Sequence, residues 1–168
     1  MAFISFEGIE GSGKTTLLLA VENALRAQGL DLVVTREPGG TPVGDAIRRV
    51  FIEPHFELSP MAELLLVNAS RAQLVADVIR PALEGGEIVL CDRYVHSSLA
   101  YQGYGRQQSI EAVRTICDAA TGGLMPDLTI LIDVSYETSR KRLHGRGNTD
   151  DRLEKMEESF HHRARDGF

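Results

Sequence analysis

Residues 8–15 read GIEGSGKT, directly after the apolar run FISF and ahead of the helix-forming stretch KTTLLLAVENALRAQ. Gly8, Gly13, Lys14 and Thr15 satisfy the G-x-x-x-x-G-K-[ST] spacing, in the strand-before, helix-after setting that gives it meaning. Glycines let the backbone curl so that successive N–H groups point inward and wrap a phosphate. The positive end of the following helix adds to that attraction. A lysine at this place spans β- and γ-phosphate oxygens, and the threonine hydroxyl is a ligand for Mg2+. The loop and the first helical residues, Gly8, Ile9, Glu10, Gly11, Ser12, Gly13, Lys14, Thr15 and Thr16, are therefore the candidate triphosphate site. Glu10 is the odd member. A carboxylate beside phosphates is unfavourable unless it is solvated or turned toward a hydroxyl of a second substrate.

A second group ends the apolar run EIVLCDRY in Asp92–Arg93. Ligands of open α/β sheets bind in the crevice beyond the carboxyl ends of the strands, so this pair is expected to face the loop. Asp92 is suited to Mg2+, directly or through water, which makes Thr15 and Asp92 the candidate metal pair. Arg93 is suited to a phosphate, bidentate where geometry allows; a structural ion pair at a strand end is the plainer alternative. Arg36 and Glu37 end the run DLVVTRE beside the same crevice, and Arg48 and Arg71 lie on the helical stretches that follow. Each arginine alone reads as a surface charge. Several around one crevice, in a chain of net charge −6, read as a site for a small phosphorylated ligand. A last cluster, SRKRLHGRGNTDDRLE, carries Arg140, Lys141, Arg142, Arg146 and Arg152. Such runs usually mark an exposed face. Placed after the last strand, this one is suited to close over a triphosphate, exclude water and supply a transition-state arginine.

The elements that must hold these groups alternate between strand and helix. Apolar runs AFISFEG, DLVVTRE, EIVLCDRY and PDLTILIDV predict four strands. Between them the pattern predicts a helix closed by Gly29, a short amphipathic helix from Pro42, a long helix from about Ser59 to Leu83, and SIEAVRTICDAATG. Ser59 is the expected N-cap of the long helix with Pro60 at its first position, and Gly85–Gly86 ends it. From Ser135 the chain is helical in propensity, with a break at HGRGN. Strands separated by helices imply parallel pairing through right-handed crossovers, hence an α/β layered fold. The 168 residues show no repeat or linker and are expected to form one domain, with a basic lid segment around 140–153. An acidic balance argues against a nucleic-acid polymer as ligand. No apolar run reaches membrane-span length, and Cys91 and Cys117 stand in no metal or redox spacing, so a reduced, cytoplasmic setting is expected.

GIEGSGKTT, TREPGGTP, LLLVNASRAQ, CDRYVHSSLAYQGYGR and DRLE, in this order, resemble bacterial thymidylate kinases, a family of nucleoside monophosphate kinases. The resemblance runs from residue 2 to about residue 167. TREPGGT and DRY-x-x-SS-x-AYQG are far more specific than the phosphate loop. The resemblance implies a three-layer P-loop NTPase fold, a parallel sheet flanked by helices. It also implies transfer of the γ-phosphoryl group of ATP to the 5′-phosphate of dTMP, with Mg2+, for dTTP synthesis. On the family's pattern Gly8 to Thr16 bind ATP, while Glu10, Glu37, Pro38, Arg48, Val67, Arg71, Arg93, Ser98 and Gln102 surround dTMP. Arg71 would lie near the thymine edge, Arg93 on the acceptor phosphate, and Glu10 on the sugar side. Lys14 and Arg93 are the implied catalytic residues of the core. With Gly11 rather than a basic residue in the loop, the resemblance places the catalytic arginine in the lid, Arg146 first and Arg142 second. It further implies a homodimer through the long helix. A monoester phosphate is largely dianionic at neutral pH, so no strong general base is needed. Tyr94 or Tyr101 are candidate walls against a ribose 2′-hydroxyl.

The pattern departs from the family in three places. Val67 stands where an aromatic usually stacks on thymine, and His96 where an acidic residue is common. The family continues past the lid with a further strand, a loop near the adenine and a terminal helix, which are expected to be absent from these residues. Alternatives are a kinase for another nucleotide or nucleoside, a nucleotide-dependent switch, or an inactive nucleotide-binding module. The switch reading lacks an N-K-x-D motif.

Overall fold

The structure, a computed structural model, describes residues 1–145 and 152–168. Four strands, β1 (Ala2–Glu7), β2 (Leu32–Arg36), β3 (Ile88–Asp92) and β4 (Leu128–Leu131), form one parallel sheet in the order β2-β3-β1-β4. Around it, among the described residues, lie helices α1 (Lys14–Ala27), α2 (Pro42–Ile52), α3 (Pro60–Leu74), α4 (Arg80–Glu84), α5 (Val95–Ser98), α6 (Ile110–Thr121), α7 (Tyr136–His144) and α8 (Glu158–Asp166). Alternation along the strands separates two packing faces. Phe3, Val89 and Cys91 meet Leu64, Leu74, Val113 and Cys117 from α3 and α6. Phe6 and Leu90 meet Leu18 of α1. The result is the three-layer α/β architecture that the alternating pattern predicts.

The long helix begins as expected, with the Ser59 hydroxyl accepting from Ala62 N–H at 3.2 Å and Pro60 at the first turn. It does not run as one α-helix. Residues Val75–Ile79 widen into a π-helical turn before α4 resumes. Pro81 is the physical reason: it lacks an N–H and its ring would collide with the carbonyl four residues back.

The helix over 95–105 is absent from the pattern reading. α5 continues into π-helical turns over Leu99–Gly105. The segment holds Gly103 and Gly105, which weaken its helical signal. Packing reverses that preference at Gly105, where a Cβ would come within 2.7 Å of the Phe160 ring of α8. β4 lies at an edge of the sheet and leaves Leu128 51% exposed.

Sheet order creates the crevice. The connection from β1 crosses over β3 to reach β2, whereas the connection from β3 crosses over β1 to reach β4. Two adjacent strands whose connections leave in opposite directions open a gap at their carboxyl ends. In register, Phe6 pairs with Asp92, and Asp92 with Arg36. The loop after β1 and the Asp92–Arg93 turn therefore share that gap.

Candidate nucleotide site between β1 and β3

The loop after β1 is built mainly of backbone. Gly8 has φ +134°, and a side chain there would strike the Ile132 carbonyl. Gly13, at φ +106°, caps α1 without any side-chain hydrogen bond to the first turn. The helix N-terminus thus keeps unsatisfied N–H groups, the usual seat of an anion. Ser12 adds a buried hydroxyl with no partner among the described residues. Lys14 is buried and donates to the carbonyls of Gly8 and Ile9, both at 2.9 Å. Burial and then the neighbouring Arg93 bring its pKa down to about 8. Thr15 and Thr16 start α1 on its exposed side, and the Thr15 hydroxyl donates to Asp92 Oδ2 at 2.9 Å. Among the described residues no three His, Cys, Asp or Glu side chains cluster. One carboxylate and one hydroxyl still fit Mg2+, which keeps several waters and is completed by substrate phosphates.

Arg93 forms the facing wall. Its guanidinium donates to Gly8 O (3.0 Å), Ser97 Oγ (3.1 Å) and Glu10 Oε1 (2.7 Å), and lies 5.0 Å from the Tyr101 ring centre. Tyr101 also donates its hydroxyl to Glu10 Oε2 at 2.6 Å. The Glu10 carboxylate, half-buried, is turned from the loop toward the Arg93 turn and the π-helical segment, with one oxygen on Arg93 and the other on Tyr101. Burial opposes its ionisation, but Arg93, Lys14 and the Tyr101 hydroxyl outweigh that and hold its pKa below the ordinary carboxylate range.

A cavity of about 1210 Å³ opens from this wall. Every expected acceptor residue (Glu10, Glu37, Pro38, Arg48, Val67, Arg71, Arg93, Ser98, Gln102) lines it, as do Lys14, Thr15 and Asp92. At its floor Arg71, 2% exposed, pairs with Glu37 at 2.6 Å and donates to Asn68, Ser98 and the Tyr94 carbonyl. Burial raises the Glu37 pKa despite that partner. Arg48 donates to the Pro38 carbonyl at 3.0 Å. Gln102 donates to Glu63 Oε1 at 2.9 Å. Glu63 is fully buried and also binds Arg106 (2.7 Å) and Arg152 (2.9 Å). Tyr94 is not a wall of the cavity. It is a core residue, edge-on to Phe3, with its hydroxyl on the Leu124 carbonyl. Tyr101 does line the cavity. His96 is half-buried, with its pKa lowered by burial and by Arg71.

The basic cluster divides. Arg142 of α7 donates to the loop carbonyls of Gly11 (3.2 Å) and Ser12 (2.7 Å), and Ser139 to Glu10 O at 2.7 Å. Arg152 is buried, with Nε on the Phe51 carbonyl and its guanidinium on Glu63. It is not the solvated charge that its sequence neighbourhood suggested. Arg146 lies outside the described residues. Sequence reasoning missed Glu7, Glu63 and Arg106; each is an ordinary charge in an unremarked position until the fold buries it.

A sequence model of the thymidylate kinase family matches residues 6–168. The chain belongs to the thymidylate kinase family. It is 54% identical to the thymidylate kinase of Deinococcus radiodurans over 166 residues, covering 99% of this chain and 80% of that protein. It is 52% identical to that of an Exiguobacterium species, covering 99% and 78%. The solved thymidylate kinase of Ehrlichia chaffeensis superposes with a TM-score of 0.78 at 34% identity, over 99% of this chain and 81% of that one. The family membership agrees with the nucleotide-sized cavity and with a phosphate loop at one end of it.

Proposed function

We propose that this chain transfers the γ-phosphoryl group of ATP to the 5′-phosphate of dTMP, yielding ADP and dTDP. One observation carries the reading: the phosphate loop and the Arg93–Glu10–Tyr101 wall open into one cavity lined on its far side by Arg71, Glu37, Val67 and Gln102. An oxygen of the dTMP phosphate attacks the γ-phosphorus, and the bond to the β–γ bridging oxygen breaks. Lys14 and the free N–H groups of the loop bind the triphosphate; Arg93 receives the acceptor phosphate and steadies the charge on the transferring group. Glu10 holds Arg93 in place and presents its carboxylate to the acceptor sugar. Mg2+ held by Thr15 and Asp92 would neutralise charge between the β- and γ-phosphates. The basic segment around 140–153 serves as lid, with Arg146 and Arg142 as its arginines. The protein acts as a cytoplasmic homodimer. Among the described residues no helix is long and apolar enough to cross a membrane.

A coupled assay with ATP–Mg2+ across dTMP, dUMP, UMP, CMP, AMP and thymidine tests the assignment. Turnover highest with dTMP is expected. A clear preference for another acceptor, or hydrolysis of ATP that no acceptor accelerates, rejects it.

A further inference from the structure

Glu7, the last residue of β1, sits directly beneath the Asp92–Arg93 turn. Its carboxylate is fully buried. Tyr94 N–H donates to Oε1 at 2.8 Å and the Ser97 hydroxyl to Oε2 at 2.6 Å. Both of these partners are neutral, and both flank Arg93. Arg93 itself has φ +75°, a left-handed conformation that a non-glycine residue rarely adopts. Such a conformation persists only where its surroundings over-determine it. Two groups on β1 do this. Phe6 O accepts the Arg93 N–H at 3.0 Å, and Glu7 Oε1 accepts the next N–H along the chain. The Ser97 hydroxyl that donates to Glu7 also accepts from the Arg93 guanidinium at 3.1 Å. One buried carboxylate therefore supports both the backbone turn of Arg93 and the aim of its side chain.

We propose that Glu7 is a positioning residue for the acceptor site, setting affinity for the acceptor monophosphate by fixing the turn and direction of Arg93. The proposal rests on the reading of Arg93 as the acceptor-phosphate ligand. Glu7 has no contact with the cavity, so its effect reaches the substrate only through Arg93 and Ser97.

Glu7→Gln keeps an oxygen for Tyr94 N–H but removes the charge and turns an amide toward Ser97. Ser97→Ala leaves the backbone contact and removes the hydroxyl that joins Glu7 to the guanidinium and also lines the cavity. KM for dTMP, KM for ATP and kcat are measured for both variants and for Arg93→Ala, with folding followed by circular dichroism. Glu7→Gln is expected to raise the dTMP KM about tenfold and Ser97→Ala about threefold, with the ATP KM within about twofold. An unchanged dTMP KM in folded Glu7→Gln, alongside a raised one in Arg93→Ala, overturns the positioning role and leaves the reading of Arg93 intact. Equal rises in both KM values also overturn it. If Arg93→Ala leaves the dTMP KM unchanged, the acceptor reading itself falls, and the proposal with it. Should Glu7→Gln not fold, Glu7→Asp, which keeps the charge but draws it back from Tyr94 N–H and Ser97, decides: a dTMP-specific rise upholds the proposal and none rejects it.

Discussion

The proposed donor and acceptor halves of the site are built from different materials. The donor half is one continuous loop, in which backbone N–H groups and a glycine-capped helix await phosphate. The acceptor half draws side chains from the segments that follow β1, β2 and β3 and from α2, α3, α5 and the π-helical segment, and its charges are buried or half-buried and hydrogen-bonded to one another or to backbone carbonyls. Every nucleoside triphosphate presents the same phosphate chain, so amides suffice to bind it. An acceptor must be told apart from its analogues, and that takes side chains held in one arrangement before the ligand arrives. Buried pairs of this kind add little net stability while intact and cost much when one partner is lost.

This contrast is breakable at named residues. Arg71→Ala should have the largest effect on folding, about 3–5 kcal/mol lost in urea denaturation, because Glu37 is left buried without its cation. A loss below 1 kcal/mol would show that the acceptor floor is not a coupled unit. Lys14→Ala should lower kcat by about 10²–10³-fold with the fold intact, since a preorganised cation leaves the transferring group; near-normal kcat would show that amides alone carry the donor half.

Glu7 makes stability depend on pH. Its folded pKa of about 7 lies above the ordinary 4.5, chiefly because of burial, with Ser97, Arg93 and Tyr94 opposing and Glu37 assisting. The folded state therefore holds a proton that the unfolded chain has released. The resulting stability is complete below about pH 4.5 and is lost as pH rises through about 7. Glu7→Gln should gain on the wild type by about 2–3 kcal/mol between pH 5 and pH 8 in urea denaturation. A pH-independent difference would mean that Glu7 keeps an ordinary pKa.

Arg93→Ala should raise the dTMP KM about 10- to 100-fold, the value of charge-assisted hydrogen bonds to a phosphate, and leave the ATP KM nearly unchanged. An ATP-specific defect would move Arg93 to the donor half. Val67→Phe is the smallest: an aromatic added to the cavity wall should lower the dTMP KM about two- to tenfold. A raised KM would indicate that the wall has no room for it.

The donor half was legible because its information is local. Glycine spacing, a lysine and a hydroxyl within eight residues dictate a curled loop wherever strand and helix flank it. The strands and most helices were legible for the same reason, through apolar runs, the Ser59–Pro60 start and glycine stops. The helix over 95–105 was not, because at Gly105 close packing on the Phe160 ring, rather than local preference, leaves no room for a side chain. Arg152 sits in a run of charges that reads as solvated, yet it is buried on Glu63, 89 positions earlier in the chain. Glu7 is adjacent to the most legible motif of all, and nothing in its neighbours distinguishes it.

The sequence alone determined that a glycine-rich loop of the phosphate-binding pattern lies between a strand and a helix, that the fold is α/β, and which family pattern the proposed acceptor residues follow. Tertiary structure decided what those residues do to one another. The pairing of β1 with β3 brings residues 7, 10, 93, 97 and 101 into one hydrogen-bonded group. The physical reason is one of range. Backbone curvature and capping are set by adjacent residues, whereas the state of a charge depends on burial and on partners that only folding supplies.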